Sequence, residues 1–175
     1  FQELVQKGLG GFLVRNMESY GILDTMGLTS RIVLDANIYT MNNRAEAFWM
    51  KKGILGDTVP LELNAKELVH RNNKNSELTV YGYTPMMVSV QCVQKTMDHC
   101  NHACVQYVLK DRYQKEFRGV CSCEFCYNTI YNTLPTSLLK EKEKAEKLGV
   151  KAYRLSFTTE TQQETEKIVR AFVDV

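Results

Sequence analysis

The chain has 175 residues, of which 44% are hydrophobic and 24% are charged, a balance typical of a compact globular unit rather than a disordered chain. Its formal net charge of +2 predicts no strong attraction to nucleic acid or to an anionic membrane surface. No apolar run approaches the ~20 residues that a membrane-spanning helix needs, so we expect no membrane partner.

The first seventy residues repeat a strand-then-helix pattern. Apolar runs predict strands at 11–14, 31–35 and 58–63. The first two strands are followed by predicted helices that end at Gly27 and Gly53, and the third by a short helix in which Asn64 and Glu67 have capping-box spacing. Successive strand–helix units with continuous apolar strands indicate a parallel sheet buried on both faces, as in barrels and doubly wound folds.

A complete eight-unit barrel needs ~250 residues, so this chain supplies only part of one. We predict that residues 1–75 are the carboxyl-terminal βα units of a barrel and that the missing units lie upstream. Leu13, Val33 and Leu61 should then lie on adjacent parallel strands. Open strand edges in a partial barrel also predict self-association, and hence a possible homo-oligomer.

Beyond residue 75 the strand-then-helix pattern ends. Residues 76–134 read as a cysteine-rich region with strands at 78–81 and 86–90 and a hairpin whose arms are 107–110 and 115–117. Residues 135–175 read as a helix–strand–helix segment that completes the domain. Its first helix should begin after Pro135, and its last helix should bury Ile168, Val169 and Phe172. The predicted fold class is therefore α/β: a partial (β/α) barrel, a cysteine-rich strand and hairpin region, and a final helix–strand–helix.

All six cysteines lie between Cys92 and Cys126. They are spaced Cys92-x7-Cys100-x3-Cys104 and, after sixteen residues, Cys121-x-Cys123-x2-Cys126. A hairpin between the two groups can return the second beside the first, which predicts a shared thiolate site for zinc or an iron–sulfur cluster. Buried free thiols and disulfides are the alternatives. Reduced thiols of this kind are typical of a cytoplasmic protein.

Polar side chains follow the predicted strands at the edge where barrel enzymes place their chemistry. Arg15, Asp35 and Glu62 are the candidate catalytic or substrate-contacting residues. The alternative is that they form structural ion pairs in the barrel mouth. Asn64 is best explained as a helix cap, and Asn16 and Asn37 are further candidates for capping.

Longer motifs resemble the collagenase-like U32 peptidase family, and the resemblance covers nearly the whole chain. They are RIVLDAN at 31–37, LELN at 61–64, PMMVS at 85–89, LKDR at 109–112, KEF at 115–117 and CYNTIYN at 126–132. The resemblance implies a barrel enzyme with a four-iron four-sulfur cluster held by Cys92, Cys100, Cys123 and Cys126, zinc being the alternative metal. Cys104 and Cys121 depart from the family pattern, and Gln114 stands where similar sequences have a glycine.

The family label implies a peptidase, a collagenase-like hydrolase whose substrate is a protein or peptide. Some members of the family support hydroxylation of RNA bases or of quinone precursors, which makes RNA or a small aromatic molecule the alternative substrate. A thiol peptidase needs a cysteine beside a histidine base, and His99 and His102 are the nearby histidines, although neither lies in a recognisable nucleophile motif. A non-catalytic zinc-binding interaction domain is the third hypothesis.

Overall fold

A computed structural model describes residues 2–97 and 100–173. These residues form two compact units, the first made of residues 2–79 and 141–154 and the second of residues 80–140 and 155–173. Within the described ranges, no helix has both the length and the apolar character needed to cross a membrane.

The elements follow in chain order. The helices α1–α7 are Gln2–Gln6, Met17–Thr25, Asn43–Lys51, Ala65–Leu68, Val93–Thr96, Lys142–Glu146 and Gln162–Val173. The strands β1–β10 are Phe12–Val14, Ile32–Leu34, Gly56–Thr58, Ser76–Gly82, Pro85–Ser89, Gln106–Lys110, Glu116–Ser122, Tyr127–Tyr131, Thr136–Ser137 and Ala152–Ser156.

The predicted parallel sheet is confirmed, but its first strand is buried on one face only, since Leu13 is exposed. Strands follow one another in the order β1-β2-β3-β4-β10, and the pairs β1–β2, β2–β3 and β3–β4 are parallel. Leu13 lies opposite Val33, as expected, but the next position across the sheet is occupied by Gly56 and not by Leu61. The chain is thus a mixed α/β protein with a parallel sheet, and closure into a barrel stays a prediction.

The third strand lies earlier in the chain than predicted. It is formed by Gly56–Thr58, while Leu61 and Glu62 form a turn. Pro60 has no N–H to donate to a strand partner, and its carbonyl accepts the N–H of Leu63 at 3.3 Å, so the chain turns there. Glycine is required at position 56 because a Cβ would lie 2.2 Å from the carbonyl oxygen of Asn75.

The helices of the first unit begin where their capping residues predict. The side chain of Asn16 accepts the N–H of Ser19 at 2.8 Å, which caps α2, and Gly27 after the helix has a φ of +69°. Asn64 and Glu67 form the predicted capping box of α4.

One core lies against the sheet of the first unit. Phe12 and Val14 are buried while Leu13 between them is exposed, because alternate strand residues point to opposite faces. The rings of Tyr20 on α2 and Trp49 on α3 meet edge to face at 4.9 Å. The core residues are Phe12, Val14, Tyr20, Leu23, Ile32, Leu34, Trp49 and Ile54.

A buried ion pair lies in the first unit. The side chains of Asp57 on β3 and Arg71 are 4% and 2% exposed and contact each other directly. Ser76 donates its hydroxyl to Asp57 at 2.6 Å, and the Nε of Arg71 donates to the carbonyl of Thr40 at 2.8 Å. A buried charge is tolerated when its partner and its remaining hydrogen bonds are all present, as they are here.

The second unit contains an antiparallel sheet of order β5-β8-β7-β6. The predicted hairpin is confirmed as β6 and β7. The predicted helix after Pro135 begins later than expected: Thr136–Ser137 form β9, which pairs with Tyr81 and Gly82 of β4, and the helix is α6, Lys142–Glu146. Strand pairing at this position outweighs the local preference of the sequence for a helix.

The last helix, α7, does not bury the predicted set of residues. Ile168 and Phe172 are half-buried, and Val169 is exposed. The helix therefore lies on the surface of the second unit, with one face against it. The capping interaction of Thr161 and Glu164 is present, with the N–H of Glu164 donating to the Thr161 hydroxyl at 3.2 Å.

The hairpin turn places Gln114 in the left-handed region, with a φ of +62°. The carboxylate of Asp111 organises the turn by accepting the N–H groups of Tyr113 at 2.8 Å and Lys115 at 2.9 Å. A left-handed conformation costs a residue with a Cβ ~1–2 kcal/mol, and glycine avoids this cost.

We therefore expect Gln114→Gly to stabilise the protein by ~1 kcal/mol, less than the strain released because glycine also has more freedom in the unfolded chain. Thermal denaturation followed by circular dichroism measures the effect. A matched Tyr113→Gly change, at a turn residue without positive φ, should give no gain in melting temperature.

Candidate metal centre

The cysteines are brought together by the β6–β7 hairpin of the second unit. Cys100 and Cys104 precede β6, Cys121 lies near the end of β7, and Cys123 begins a 3-10 turn that ends before β8. The N–H of Cys121 donates to the carbonyl of Val105 at 2.9 Å, which holds the two flanks of the hairpin together. The hairpin thus returns the second group of cysteines beside the first, as its position between them in the sequence predicts.

Three side chains have the geometry of a metal site. A sulfur of Cys100, a ring nitrogen of His102 and the sulfur of Cys123 all lie within 4.8 Å of one another. Thiolate and imidazole ligands bound to one zinc ion, at ~2.0–2.3 Å from it, lie at such separations. Cys123 is buried and His102 is exposed, so the group lies at the protein surface with one buried ligand.

Two further thiols adjoin Cys123. The N–H of Cys123 donates to the sulfur of Cys104 at 3.3 Å, and the thiol of Cys126 lies 3.6 Å from the carbonyl oxygen of Cys123. We refer to Cys100, Cys104, Cys123 and Cys126 as the thiol cluster.

Two residues of this region have an unusual backbone. His102 and Cys126 have φ values of +56° and +52°, a conformation that is costly for residues other than glycine. Such strain is found at functional sites, where surrounding structure enforces it. In Cys126 it follows the tight 3-10 turn of Cys123–Phe125, whose carbonyl at Cys123 accepts the N–H of Cys126 at 3.2 Å.

The electrostatics of Cys123 favour a bound cation. Burial raises the pKa of its thiol, and the neighbouring thiols Cys100 and Cys126 raise the pKa further because thiolates repel one another. A soft divalent metal ion reverses this effect, since its positive charge stabilises each thiolate that binds it. Such an ion would therefore lower the pKa of the Cys123 thiol.

The remaining two cysteines form a pair. The sulfur atoms of Cys92 and Cys121 lie 4.0 Å apart. The N–H of Lys95 lowers the pKa of Cys92, whereas burial raises the pKa of Cys121 to about 11. The charge on Cys123 also contributes to the higher pKa of Cys121, which places this pair in electrostatic contact with the thiol cluster.

We expect iodoacetamide at pH 8 to modify Cys92 at least about tenfold faster than Cys121 in metal-free protein, because the thiolate is the reacting form and Cys121 is buried and protonated. Peptide mapping by mass spectrometry at short reaction times measures the ratio. Equal labelling of the two thiols under native conditions, with a Cys92→Ser variant as the control for peptide assignment, would contradict it.

The structure brings some of the four predicted ligands together. Cys100 and Cys123 lie in the group that could hold a metal ion, and Cys126 adjoins Cys123. Cys92 lies beside Cys121, a cysteine outside the predicted set. His102 is named above only as a candidate base. Its Cys-x-His spacing with Cys100 was the signal that could have identified it as a candidate metal ligand. His99 lies outside the described residues.

The predicted catalytic residues lie in the first unit. The Nε of Arg15 is 3.0 Å from Asp35, and Arg154 on β10 donates to the other oxygen of Asp35 at 2.9 Å and also contacts Glu77. Glu62 is exposed in the turn after β3 and forms no ion pair among residues 2–97 and 100–173.

Glu77 and Arg154 were not identified as site residues from the sequence. The strand register places Glu77 opposite Thr58, at the edge of the sheet where Arg15 and Asp35 follow β1 and β2. The ion pair with Asp35 holds Arg15 in place. The outer side of the Arg15 guanidinium is exposed, since 69% of the side chain is accessible to solvent.

Comparisons with protein-family models, with curated proteins and with solved structures gave no match to this chain.

Proposed function

We propose that this chain is the metal-bearing part of an enzyme of the U32 peptidase type, in which the cysteines of the second unit hold an iron–sulfur cluster and the substrate is a polypeptide. The observation that carries the proposal is the meeting of thiols from both flanks of one hairpin around the buried Cys123. The peptidase assignment rests on the resemblance of the sequence motifs to that family.

The donor set fits such a centre. Thiolates are soft ligands that select zinc or iron–sulfur clusters over magnesium and calcium. The resemblance assigns the ligand roles to Cys92, Cys100, Cys123 and Cys126, and a bound cluster would supply Lewis-acid or redox chemistry. The sulfur that accepts the N–H of Cys123 belongs to Cys104, which lies outside this ligand set.

The first unit contributes its own candidate site. Asp35 orients the guanidinium of Arg15, whose exposed outer side is suited to hold a carboxylate or carbonyl group of a substrate. Arg154 pairs with Asp35 and balances its charge, and Glu77 holds Arg154 in place, so these two residues act as positioning residues.

The test is metal analysis of anaerobically purified protein together with product analysis. Iron and labile sulfide in near-equal amounts, with hydrolysis of a peptide mixture detected by mass spectrometry, support the proposal. Iron and sulfide with a hydroxylated base in RNA from cells that express the protein, but not in RNA from cells that lack it, would assign the hydroxylation chemistry instead. Protein that takes up neither iron nor zinc under anaerobic reconstitution overturns the proposal.

A second candidate function, a zinc-stabilised interaction domain, is favoured by His102. A mixed thiolate and imidazole set is typical of structural zinc sites, whereas most iron–sulfur clusters are held by cysteines alone. If zinc is the native metal, His102→Ala should weaken zinc binding by ~100-fold or more, since it removes a direct ligand.

The matched control is His70→Ala, at an exposed histidine of the first unit. Zinc affinity is measured by competition with a chromogenic chelator. An unchanged iron and sulfide content in the His102→Ala protein would instead assign the site to an all-cysteine cluster.

A further inference from the structure

The strand β5 at one end of the antiparallel sheet exposes side chains on both of its faces. Four consecutive residues, 85–88, are exposed, whereas a strand packed on a core buries alternate residues. Met86, Met87, Val88 and Val90 leave between 53% and 86% of their surface accessible. Exposed apolar surface of this extent on an ordered strand is typical of an interaction site.

The outer edge of β5 is also open. It pairs only with β8, so in the described part of the chain its other edge meets no strand. Exposed edges are normally protected by charged side chains, in particular lysine, or by a bulge. From Leu78 to Gln94 the sequence has no charged residue, and the single bulge lies at the start of β5, between Pro85 and Met87.

A cleft of about 290 Å³ lies on the sheet face that includes β5. Its floor carries Met87, Ser89 and Ile130 and extends to Leu109 on β6, and the short helix α5 forms a wall through Val93. Flexible methionine side chains adapt to differently shaped apolar groups. The volume suits one or two apolar side chains, near a strand edge that meets no other strand among residues 2–97 and 100–173.

The ligand that uses both features is an extended polypeptide. Backbone groups of an added strand pair with an open edge, and its alternate side chains enter a neighbouring pocket. A small apolar molecule would fill the cleft but leave the edge unpaired, and a nucleic acid would find no cation between Leu78 and Gln94.

We propose that β5 binds an uncharged, extended segment of a polypeptide substrate by strand addition, with an apolar side chain in the adjoining cleft. This inference rests on the proposed peptidase function and names its substrate-binding mode. The added strand runs along Pro85–Ser89, and Cys92 follows three residues after the strand ends. A polypeptide bound along this edge would therefore extend toward the Cys92–Cys121 pair.

The probe is a fluorescent peptide of roughly nine alternating valine and threonine residues, with a copy that is N-methylated at alternate residues. N-methylation leaves the side chains in place and removes the backbone donors that strand addition needs. Fluorescence anisotropy with metal-loaded protein should detect binding of the first peptide and a loss of about tenfold or more with the second.

The variant is Val88→Lys, which places a charge on the open edge, and its matched control is Val108→Lys on β6 at the opposite end of the sheet, where the side chain is similarly exposed. Val88→Lys should weaken peptide binding by about tenfold or more, and Val108→Lys should leave it within about twofold. Equal binding by both variants, or equal binding of the methylated peptide, overturns the proposal.

Two further measurements separate the remaining explanations. If sedimentation shows a dimer that Val88→Lys converts to a monomer and the peptide does not bind, a second copy of the chain covers the edge and the proposal fails. Metal content and peptide hydrolysis are measured on the same samples. Strand binding without metal or hydrolysis would contradict the proposed function alone, whereas hydrolysis that Val88→Lys leaves unchanged would contradict the strand-addition proposal alone.

Discussion

Replacing Arg71 by methionine is expected to destabilise the first unit by ~3–5 kcal/mol. The change keeps most of the side-chain volume but leaves the carboxylate of Asp57 buried without its cation. It also removes the donors to Thr40, Asn73 and Ser76. Urea denaturation followed by tryptophan fluorescence reports on this unit, because Trp49 lies in its core.

The matched control is Lys7→Met, which breaks the exposed pair between Lys7 and Glu3 on the same unit. An exposed pair one helical turn apart contributes less than ~0.5 kcal/mol, since water screens both charges. Similar losses in the two variants would show that burial does not decide the contribution of the Arg71 ion pair. Recovery of stability in the double variant Asp57→Asn with Arg71→Met would support the unpaired charge as the cause.

Replacing Cys123 by serine is expected to abolish metal or cluster loading. Cys123 is the buried member of the Cys100, His102 and Cys123 group, which could hold a metal ion, and Cys104 and Cys126 adjoin it. Serine is nearly isosteric, but its hydroxyl is a poor ligand for the soft metals that thiolates bind. The measurement is metal content per protein after anaerobic reconstitution, together with the absorbance of thiolate-to-metal charge transfer.

The control is Cys104→Ser, which the resemblance predicts to retain loading. The sulfur of Cys104 accepts the N–H of Cys123, and a serine hydroxyl can accept the same hydrogen bond. Loss of metal in Cys104→Ser with retention in Cys123→Ser would falsify this assignment of roles. A Cys92→Ser variant decides whether the Cys92–Cys121 pair takes part in the same centre.

The fold was predictable where one element carried its own signal. The strands β1 and β2 are short apolar runs, and Asn16 marks the start of the helix between them. The strand β3 was misplaced because Gly56 and Asp57 are poor strand formers, whereas Val59, Leu61 and Leu63 alternate as strand residues do. Asp57 is stabilised there by the distant Arg71, and no local pattern contains that information.

The thiol site was predictable in outline and not in detail. The hairpin between two groups of cysteines indicated convergence, because a hairpin returns the chain to its starting point. The pairing of Cys92 with Cys121 and the approach of His102 depend on loop conformations, including the left-handed backbone at His102. Such conformations are set by tertiary contacts, which spacing in a sequence does not specify.

The first unit is assembled from two separate stretches of chain, residues 2–79 and 141–154. The side chain of Asn73 donates to the carbonyl of Leu148 at 3.2 Å, and the N–H of Lys151 donates to the carbonyl of Ser76 at 2.9 Å. During synthesis on the ribosome these bonds form only after the whole intervening segment has emerged. Since protein domains form as units in the order of synthesis when they can, the cysteine-bearing strands β5–β8 have all emerged before the first unit can be completed.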